Sequence, residues 1–113
     1  MGNLETVFTF PKWAPQDKTK RRLDGDTLSK QDKIKILRNS CSGFITKREV
    51  REYIFTRDGH KCCICGSSEN LQIDHVISVY RFIMDKLDWR HANDESNLRT
   101  LCVHCNSKKR PEE

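Results

Sequence analysis

The fold of this chain is decided by the stretch Cys62-Cys63-Ile64-Cys65-Gly66 and by a second stretch, Cys102-Val103-His104-Cys105. Each contains a pair of cysteines with two residues between them, Cys62 with Cys65 and Cys102 with Cys105, a spacing that lets a tight turn aim both sulfurs at one tetrahedral ion. Two such pairs together supply a closed set of four thiolates. The sequence therefore predicts one structural Zn²⁺ site, with the ligands Cys62, Cys65, Cys102 and Cys105.

Two other uses of these cysteines fit the sequence less well. Disulfides need an oxidising compartment, and the N-terminus has no basic region followed by an apolar stretch that would direct export. A thioredoxin-like redox motif would be a single Cys-x-x-Cys in a βαβ setting, whereas this chain has two pairs. The missing export signal also predicts a cytoplasmic location. The remaining cysteines, Cys41 and Cys63, are interpreted as plain thiols.

Length and composition predict a small domain with a thin core. The chain has 113 residues, of which 35% are hydrophobic and 33% are charged, and its mean hydropathy is -0.77. Zinc would compensate for limited apolar burial, because its binding free energy adds to the free energy of folding. No apolar run approaches the roughly 18–20 residues that cross a bilayer, which argues against a membrane protein.

Positive charge is concentrated in the first part of the chain. Residues 1–45 carry nine Lys and Arg against five Asp and Glu, whereas residues 46–113 carry twelve against eleven. We therefore divide the chain into a basic N-terminal arm with a short helix, residues 1–45, and a folded domain, residues 46–113. A basic arm suits a polyanionic partner, although charge alone is equally consistent with a solubility role.

Helix signals lie on both sides of this boundary. Ser29 can cap a helix, with Asp32 three residues later. Thr46 and Glu49 form a capping box for a second helix. Residues 11–28, which combine prolines and a glycine with many charges, are predicted to be irregular.

The region between the cysteine pairs predicts two short strands around a helical segment. Residues 71–76, LQIDHV, alternate apolar and polar side chains, as is typical of a strand. Residues 76–87 then carry apolar side chains at helical spacing, and residues 98–102, LRTLC, predict a second strand. A final helix is expected to begin at Val103.

Asp74 and His75 are adjacent at the end of the first predicted strand. Hydrolysis of a phosphodiester needs a base that activates water and a hard divalent cation that neutralises the developing phosphoryl charge. Neighbouring strand residues point to opposite faces, so both side chains reach one phosphate only if the strand end is irregular. Asn106 follows the last cysteine and could add a second oxygen ligand for a Mg²⁺-type ion.

Three runs in this order, RDGHKCCICG, LQIDHV and SNLRTLCVHCNSKK, resemble the HNH nuclease family, the zinc-knuckled branch of the ββα-metal nucleases. The resemblance covers about residues 46–110. It implies an α+β fold: a small, treble-clef-like ββα-metal domain with one structural four-cysteine zinc site, preceded by helices. Residues 46–113 would then be the nuclease domain.

The resemblance also implies roles for individual residues. His75 matches the general base, and Asp74 matches the carboxylate ligand of the catalytic metal. Asn97 matches the middle asparagine, which steadies the base and its loop through hydrogen bonds. Asn106 takes the place of the third motif residue, a metal ligand, so this sequence is of the H-N-N kind. Lys109 matches a frequently basic position that contacts phosphate.

Two departures from the family pattern concern the loop after His75. Ser78 stands where many members have proline, and a helical segment around residues 80–87 replaces a Gly-Gly turn. These departures leave Asn93 as an alternative to Asn97 for the asparagine that holds His75 through hydrogen bonds. The Asn-Leu-x-x-Leu-Cys register favours Asn97.

The function implied by the resemblance is a metal-dependent DNA endonuclease that nicks or cuts both strands, leaving 5′-phosphate and 3′-hydroxyl ends. The catalytic ion would be a single Mg²⁺, Mn²⁺ or another divalent cation. The resemblance to small proteins of this family further implies a role in phage or bacterial genome processing. The basic residues expected to contact DNA phosphates are Lys108, Lys109, Arg110, Lys20, Arg21 and Arg22.

Two other classes of function stay open. A nucleic-acid-binding module of zinc-ribbon type would keep the cysteine pairs but would tolerate loss of Asp74 and His75. A partner-dependent assembly factor would act within a larger complex without catalysis of its own. A protein partner or a homodimer is compatible with each of these functions.

Overall fold

The computed structural model describes residues 9–110, so the outer ends of both predicted segments, residues 1–8 and 111–113, lie outside the described residues. Two short 3₁₀ turns, Trp89–His91 and Glu95–Asn97, join the regular elements. In chain order, the regular elements are α1 (Asp17–Asp24), α2 (Lys30–Ile45), α3 (Arg48–Arg57), β1 (Leu71–His75), α4 (Val79–Met84), β2 (Leu98–Cys102) and α5 (Val103–Ser107). The predicted α+β class is confirmed.

The strands β1 and β2 form an antiparallel hairpin. Leu71 lies opposite Cys102 and His75 lies opposite Leu98, so every residue of one strand has a partner in the other. Helix α5 begins directly after β2, which produces the strand–strand–helix order expected from the sequence. Both predicted strands and the final helix are confirmed.

The predicted helices around residues 30–57 are present, but one predicted cap is wrong. The Ser29 hydroxyl accepts a hydrogen bond from the backbone N–H of Asp32 at 3.2 Å, as expected. Thr46 does not cap α3. Its hydroxyl and its backbone N–H both donate to the carbonyl of Ser42, because α2 continues to Ile45 and Thr46 ends that helix.

The prediction of an irregular segment over residues 11–28 is wrong for residues 17–24, which form α1. Leu23 is buried in this helix. The carboxylate of Asp24 accepts hydrogen bonds from Trp89 Nε1 at 2.8 Å and from Arg90 at 2.6 Å. These contacts to distant residues stabilise a helix that has little apolar periodicity of its own.

Helix α2 contributes to two hydrophobic clusters. In the first, Leu37 and Cys41 pack with Phe82 of α4 and with Trp89. The second consists of Phe44, Val50, Ile54, Ile73 and Leu98. Residues on both sides of position 45, the predicted boundary between arm and domain, therefore pack into the same two hydrophobic clusters.

Arg57, the last residue of α3, ties this helix to the hairpin. Its guanidinium donates to the carbonyl of Leu98 at 2.6 Å and to the carbonyl of Glu95 at 2.8 Å. The neighbouring carboxylate of Asp58 accepts the backbone N–H of Thr100 at 2.9 Å. These bonds fix the position of β2, and with it the partner strand β1 that carries Asp74 and His75.

Among the described residues, no helix is both long and apolar enough to cross a bilayer.

Candidate metal centre and active-site cleft

The four cysteines of the two Cys-x-x-Cys pairs converge at one end of the hairpin. The sulfur atoms of Cys62, Cys65, Cys102 and Cys105 all lie within 4.8 Å of one another. The Sγ atoms of Cys65 and Cys102 are 3.6 Å apart. Four sulfurs at about 2.3 Å from one tetrahedral zinc would be about 3.8 Å apart, so the cluster fits a zinc ion.

The backbone of each pair turns tightly enough to aim both sulfurs inward. Gly66 adopts a positive φ of 78°, and its N–H donates to the carbonyl of Cys62 at 2.9 Å. The Cys102 sulfur accepts the N–H of Cys105 at 3.4 Å. Burial raises the pKa of Cys62, but backbone N–H donors, among them that of Cys65, outweigh this effect and lower the pKa to about 6. The thiolate, the form that binds metal, is thereby favoured.

A second centre lies at the other end of β1, in a cleft of about 310 Å³. Its walls come from the end of β1, from α2 and α4, and from the segment around the end of α5. Asp74 and His75 line this cleft together, although they are sequence neighbours, because His75 is the last residue of the strand. The other predicted site residues in the cleft wall are Asn106, Lys109 and Arg110.

Asp74 is buried between two cations. Its Oδ2 accepts a hydrogen bond from Arg99 Nε at 2.9 Å, across the hairpin. The Lys109 ammonium lies 3.0 Å from each carboxylate oxygen and also donates to the backbone carbonyl of His75. The ammonium of Lys109 therefore lies among carboxylate and carbonyl oxygens, the type of ligand atom that hard cations bind.

The imidazole of His75 is held by Asn93. His75 Nε2 lies 2.7 Å from Asn93 Oδ1. Because an amide oxygen only accepts, Nε2 carries the proton and Nδ1 is left as the proton acceptor. Burial lowers the pKa of His75 below its ordinary value of 6.5, and Lys109 acts in the same direction. The ring is therefore neutral at pH 7.

Asn97 holds the loop after His75 instead of the ring itself. Its Oδ1 accepts the backbone N–H of Ile77 at 2.8 Å. Its Nδ2 donates to the carbonyls of Ala92 and Ile77 at 2.8 Å and 3.1 Å. The register argument from the sequence pointed to Asn97, but the side chain in contact with the ring is that of Asn93. The sequence signal for Asn93 was the departure from the family pattern in the loop after His75, which left Asn93 as the alternative.

Asn106 lines the same cleft from α5. Its Nδ2 donates to Gln72 Oε1 at 2.8 Å, which leaves the amide oxygen as the atom that can bind a cation. Gln72 and Asp74 lie on the same face of β1, because side chains alternate along a strand. The structure thus brings a carboxylate and an amide together near His75.

The predicted DNA-contacting residues do not share one surface. Lys108 is exposed after α5, whereas Lys109 is turned into the cleft. Arg22 lines a different groove, between α1 and α2. The cleft instead receives Arg38 of α2, a cation that the sequence reasoning missed. The four α2 residues in the cleft wall lie at helical spacing on one face of the helix: Arg38, Cys41, Ser42 and Ile45. The sequence does not indicate that this face lines the cleft.

Comparison with known proteins gives one positive result. Residues 62–112 match the sequence model of the HNH endonuclease family. No curated protein and no solved structure matches the chain. The matched segment contains both cysteine pairs, the hairpin with Asp74 and His75, and the helix with Asn106. With these elements in place, residues 62–112 of this chain match the HNH endonuclease family, in agreement with the resemblance seen in the sequence.

Proposed function

We propose that the protein is a metal-dependent DNA endonuclease that hydrolyses phosphodiester bonds in the cleft of Asp74 and His75. A family of nuclease type already supports hydrolysis of nucleic acid in general. The observation that carries the proposal is that a neutral, oriented imidazole and a buried carboxylate line the same cleft. This pairing supplies a base and a cation ligand at one place.

His75 acts as the general base. Asn93 fixes the ring so that Nδ1 can take a proton from a water molecule as its oxygen attacks phosphorus. The bond between phosphorus and the 3′ oxygen breaks, and that oxygen takes a proton from solvent. The products are a 5′-phosphate and a 3′-hydroxyl.

Asp74 and Asn106 would hold the catalytic Mg²⁺ or Mn²⁺ ion. When bound, such an ion neutralises charge on the phosphoryl group and on the leaving oxygen. The four clustered cysteines would hold a separate, structural zinc. Asn97 positions the loop that follows the base, through its bonds to Ile77 and Ala92.

DNA is held through its phosphates. Lys108 and Arg110 lie beside the cleft or in its wall, and α1 adds Lys20, Arg21 and Arg22 as a basic region in residues 1–45. Such contacts make affinity fall with salt and carry little sequence information. Residues 46–113 would form the nuclease domain. We place the protein in the reducing cytoplasm of a bacterial or phage-infected cell, where it acts in genome processing alone, as a homodimer or with a partner.

The test is relaxation of supercoiled plasmid with Mg²⁺, with Mn²⁺ or with EDTA. We expect nicking with a divalent ion and none with EDTA. His75→Ala should abolish nicking while retaining zinc. His91→Ala is the matched control, since this exposed histidine pairs with Asp94 outside the cleft and should keep full activity. Cleavage that persists in zinc-loaded His75→Ala would remove His75 as the base.

A binding module without catalysis is the second candidate, favoured by one observation. Asp74 is already neutralised by Arg99 and Lys109, as in a site that needs no added cation. In that case the wild-type protein would bind DNA with unchanged affinity in EDTA and would not nick it under any metal condition. Gel-shift titrations alongside the plasmid assay separate the two candidates.

A further inference from the structure

We propose that Lys109 is a built-in competitor of the divalent ion: its ammonium fills the cation position on Asp74, and the ion binds only after this side chain has moved out. The inference rests on the proposed function, which assigns Asp74 to the divalent ion. It adds that the chain itself sets how readily that ion is bound.

The contacts of the Lys109 ammonium are those of a bound cation. Its Nζ lies 3.0 Å from Oδ1 and 3.0 Å from Oδ2 of Asp74. It also donates to the backbone carbonyl of His75 and lies 3.5 Å from that of Val76. The Lys109 side chain is only 12% exposed, and that of Asp74 is 7% exposed. The ammonium therefore sits inside a nearly closed shell of oxygen atoms.

Charge prevents a divalent ion from sharing this shell. With Lys109 in place, the single carboxylate of Asp74 faces two positive groups, because Arg99 Nε also lies 2.9 Å from Oδ2. A further double charge at the same oxygens would be repelled by the ammonium at short range. Once the ammonium leaves, Asp74 and Arg99 form a neutral pair and the carboxylate oxygens open toward the cleft.

Lys109 is the cation that can leave, whereas Arg99 is not. Arg99 lies within β2, directly opposite Asp74 in the hairpin, so its backbone is fixed by strand pairing. Lys109 lies beyond the end of α5, and its flexible stem can carry the ammonium into the adjoining cleft. The same side chain would then be free to approach a phosphate there.

Competition of this kind lowers the apparent affinity for the ion by the fraction of molecules whose site is open. If Lys109 leaves Asp74 in about one molecule in ten, removing its charge strengthens ion binding about tenfold. The experiment is titration of the zinc-loaded protein with Mn²⁺ in the absence of DNA, with free Mn²⁺ followed by electron paramagnetic resonance. This readout needs no cleavage.

Three variants sharpen the measurement. Lys109→Met removes the ammonium and keeps a side chain of similar length. Lys108→Met removes the same charge from the exposed neighbouring residue, which makes no contact to Asp74 in the described part of the chain. Asp74→Asn removes the shared ligand. Zinc content and thermal unfolding verify that each variant is folded, and Lys109→Gln serves as a second substitution.

We expect Lys109→Met to bind Mn²⁺ about tenfold more tightly than the wild type, Lys108→Met to match the wild type, and the gain to vanish when Asp74→Asn is added. Equal or weaker Mn²⁺ binding in folded Lys109→Met overturns the competition while leaving the cation site intact. Absence of Mn²⁺ binding in every protein, Lys109→Met included, overturns the assignment of Asp74 to a divalent ion and the competition with it.

Discussion

Asn93 and Asn97 hold different parts of the cleft in place. Asn93 contacts the ring of His75 through a single hydrogen bond of 2.7 Å, and its Nδ2 is buried without a partner among the described residues. Asn97 makes three bonds to backbone groups of Ile77 and Ala92. One amide therefore orients the His75 ring, and the other stabilises the loop that follows it.

This difference predicts that two alanine substitutions affect stability and activity to different extents. Asn97→Ala removes the side-chain partner of one buried and two partly buried backbone groups and should lower the free energy of unfolding by about 2–4 kcal/mol. Asn93→Ala loses one bond and should cost about 1 kcal/mol, while the plasmid-nicking rate falls roughly 10-fold to 100-fold because the ring is no longer oriented. Thermal unfolding and nicking rates measure both. A larger loss of stability in Asn93→Ala than in Asn97→Ala would contradict this assignment.

Helix α2 matters at the scale of the elements, because it lies outside the matched residues 62–112 and yet forms a wall of the cleft. On the buried side of α2, Leu37 and Cys41 pack with the cluster around Phe82. The neighbouring face presents Arg38, which is exposed and makes no hydrogen bond or ion pair within residues 9–110. The family domain and the preceding helix thus build one site together.

Arg38 should therefore contact DNA from across the cleft. Arg38→Ala is expected to raise KM for DNA about 3-fold to 10-fold with little change in kcat, and to reduce the salt dependence of binding by about one phosphate contact. Lys35→Ala is the control, since Lys35 is an exposed cation of the same helix that does not line the cleft. Equal effects of the two substitutions would show that Arg38 contributes only to the general charge of the helix.

At the scale of the whole molecule, the two ends of the hairpin are stabilised differently. The end near Asp74 packs against the cluster that contains Phe44, Val50 and Ile54. At the other end, the buried cluster contains two cysteines and a single leucine, Leu101, with Leu71 packed against it. So little apolar area predicts that this end depends on a zinc ion at the four cysteines, because zinc binding would add its free energy to folding.

We expect about one zinc per chain by metal analysis, and removal of the zinc with a chelator should destabilise the protein by several kcal/mol in thermal unfolding. Cys65→Ser should lose zinc and stability. Cys63→Ser is the matched control, since the Cys63 sulfur lies outside the cluster and this variant should keep its zinc. Asp74→Ala should also keep zinc, because Asp74 lies in the cleft and not among the four sulfurs. Loss of zinc from Asp74→Ala would show that the ligands of the two centres had been confused.

Local patterns in the sequence were enough to predict that the four cysteines converge, that the hairpin has two strands, and that Asp74 and His75 lie at a strand end. The reason is that Cys-x-x-Cys spacing, strand alternation and immediate adjacency depend on interactions over a few residues. The helix α1 was missed because its stability comes from Leu23 and Asp24 contacting residues far along the chain, such as Trp89.

Tertiary structure alone decided three features of the site. It determined that Asn93 and not Asn97 contacts the His75 ring. It also determined that Arg38 lines the cleft and that the Lys109 ammonium contacts the Asp74 carboxylate. Each depends on how separate elements pack, and no short-range pattern encodes the resulting distance. The connection between β1 and β2 folds back with α4 and two turns, which brings Asn93 to the ring. Packing of α2 against α4 places Arg38, and the hairpin with α5 encloses the ammonium of Lys109.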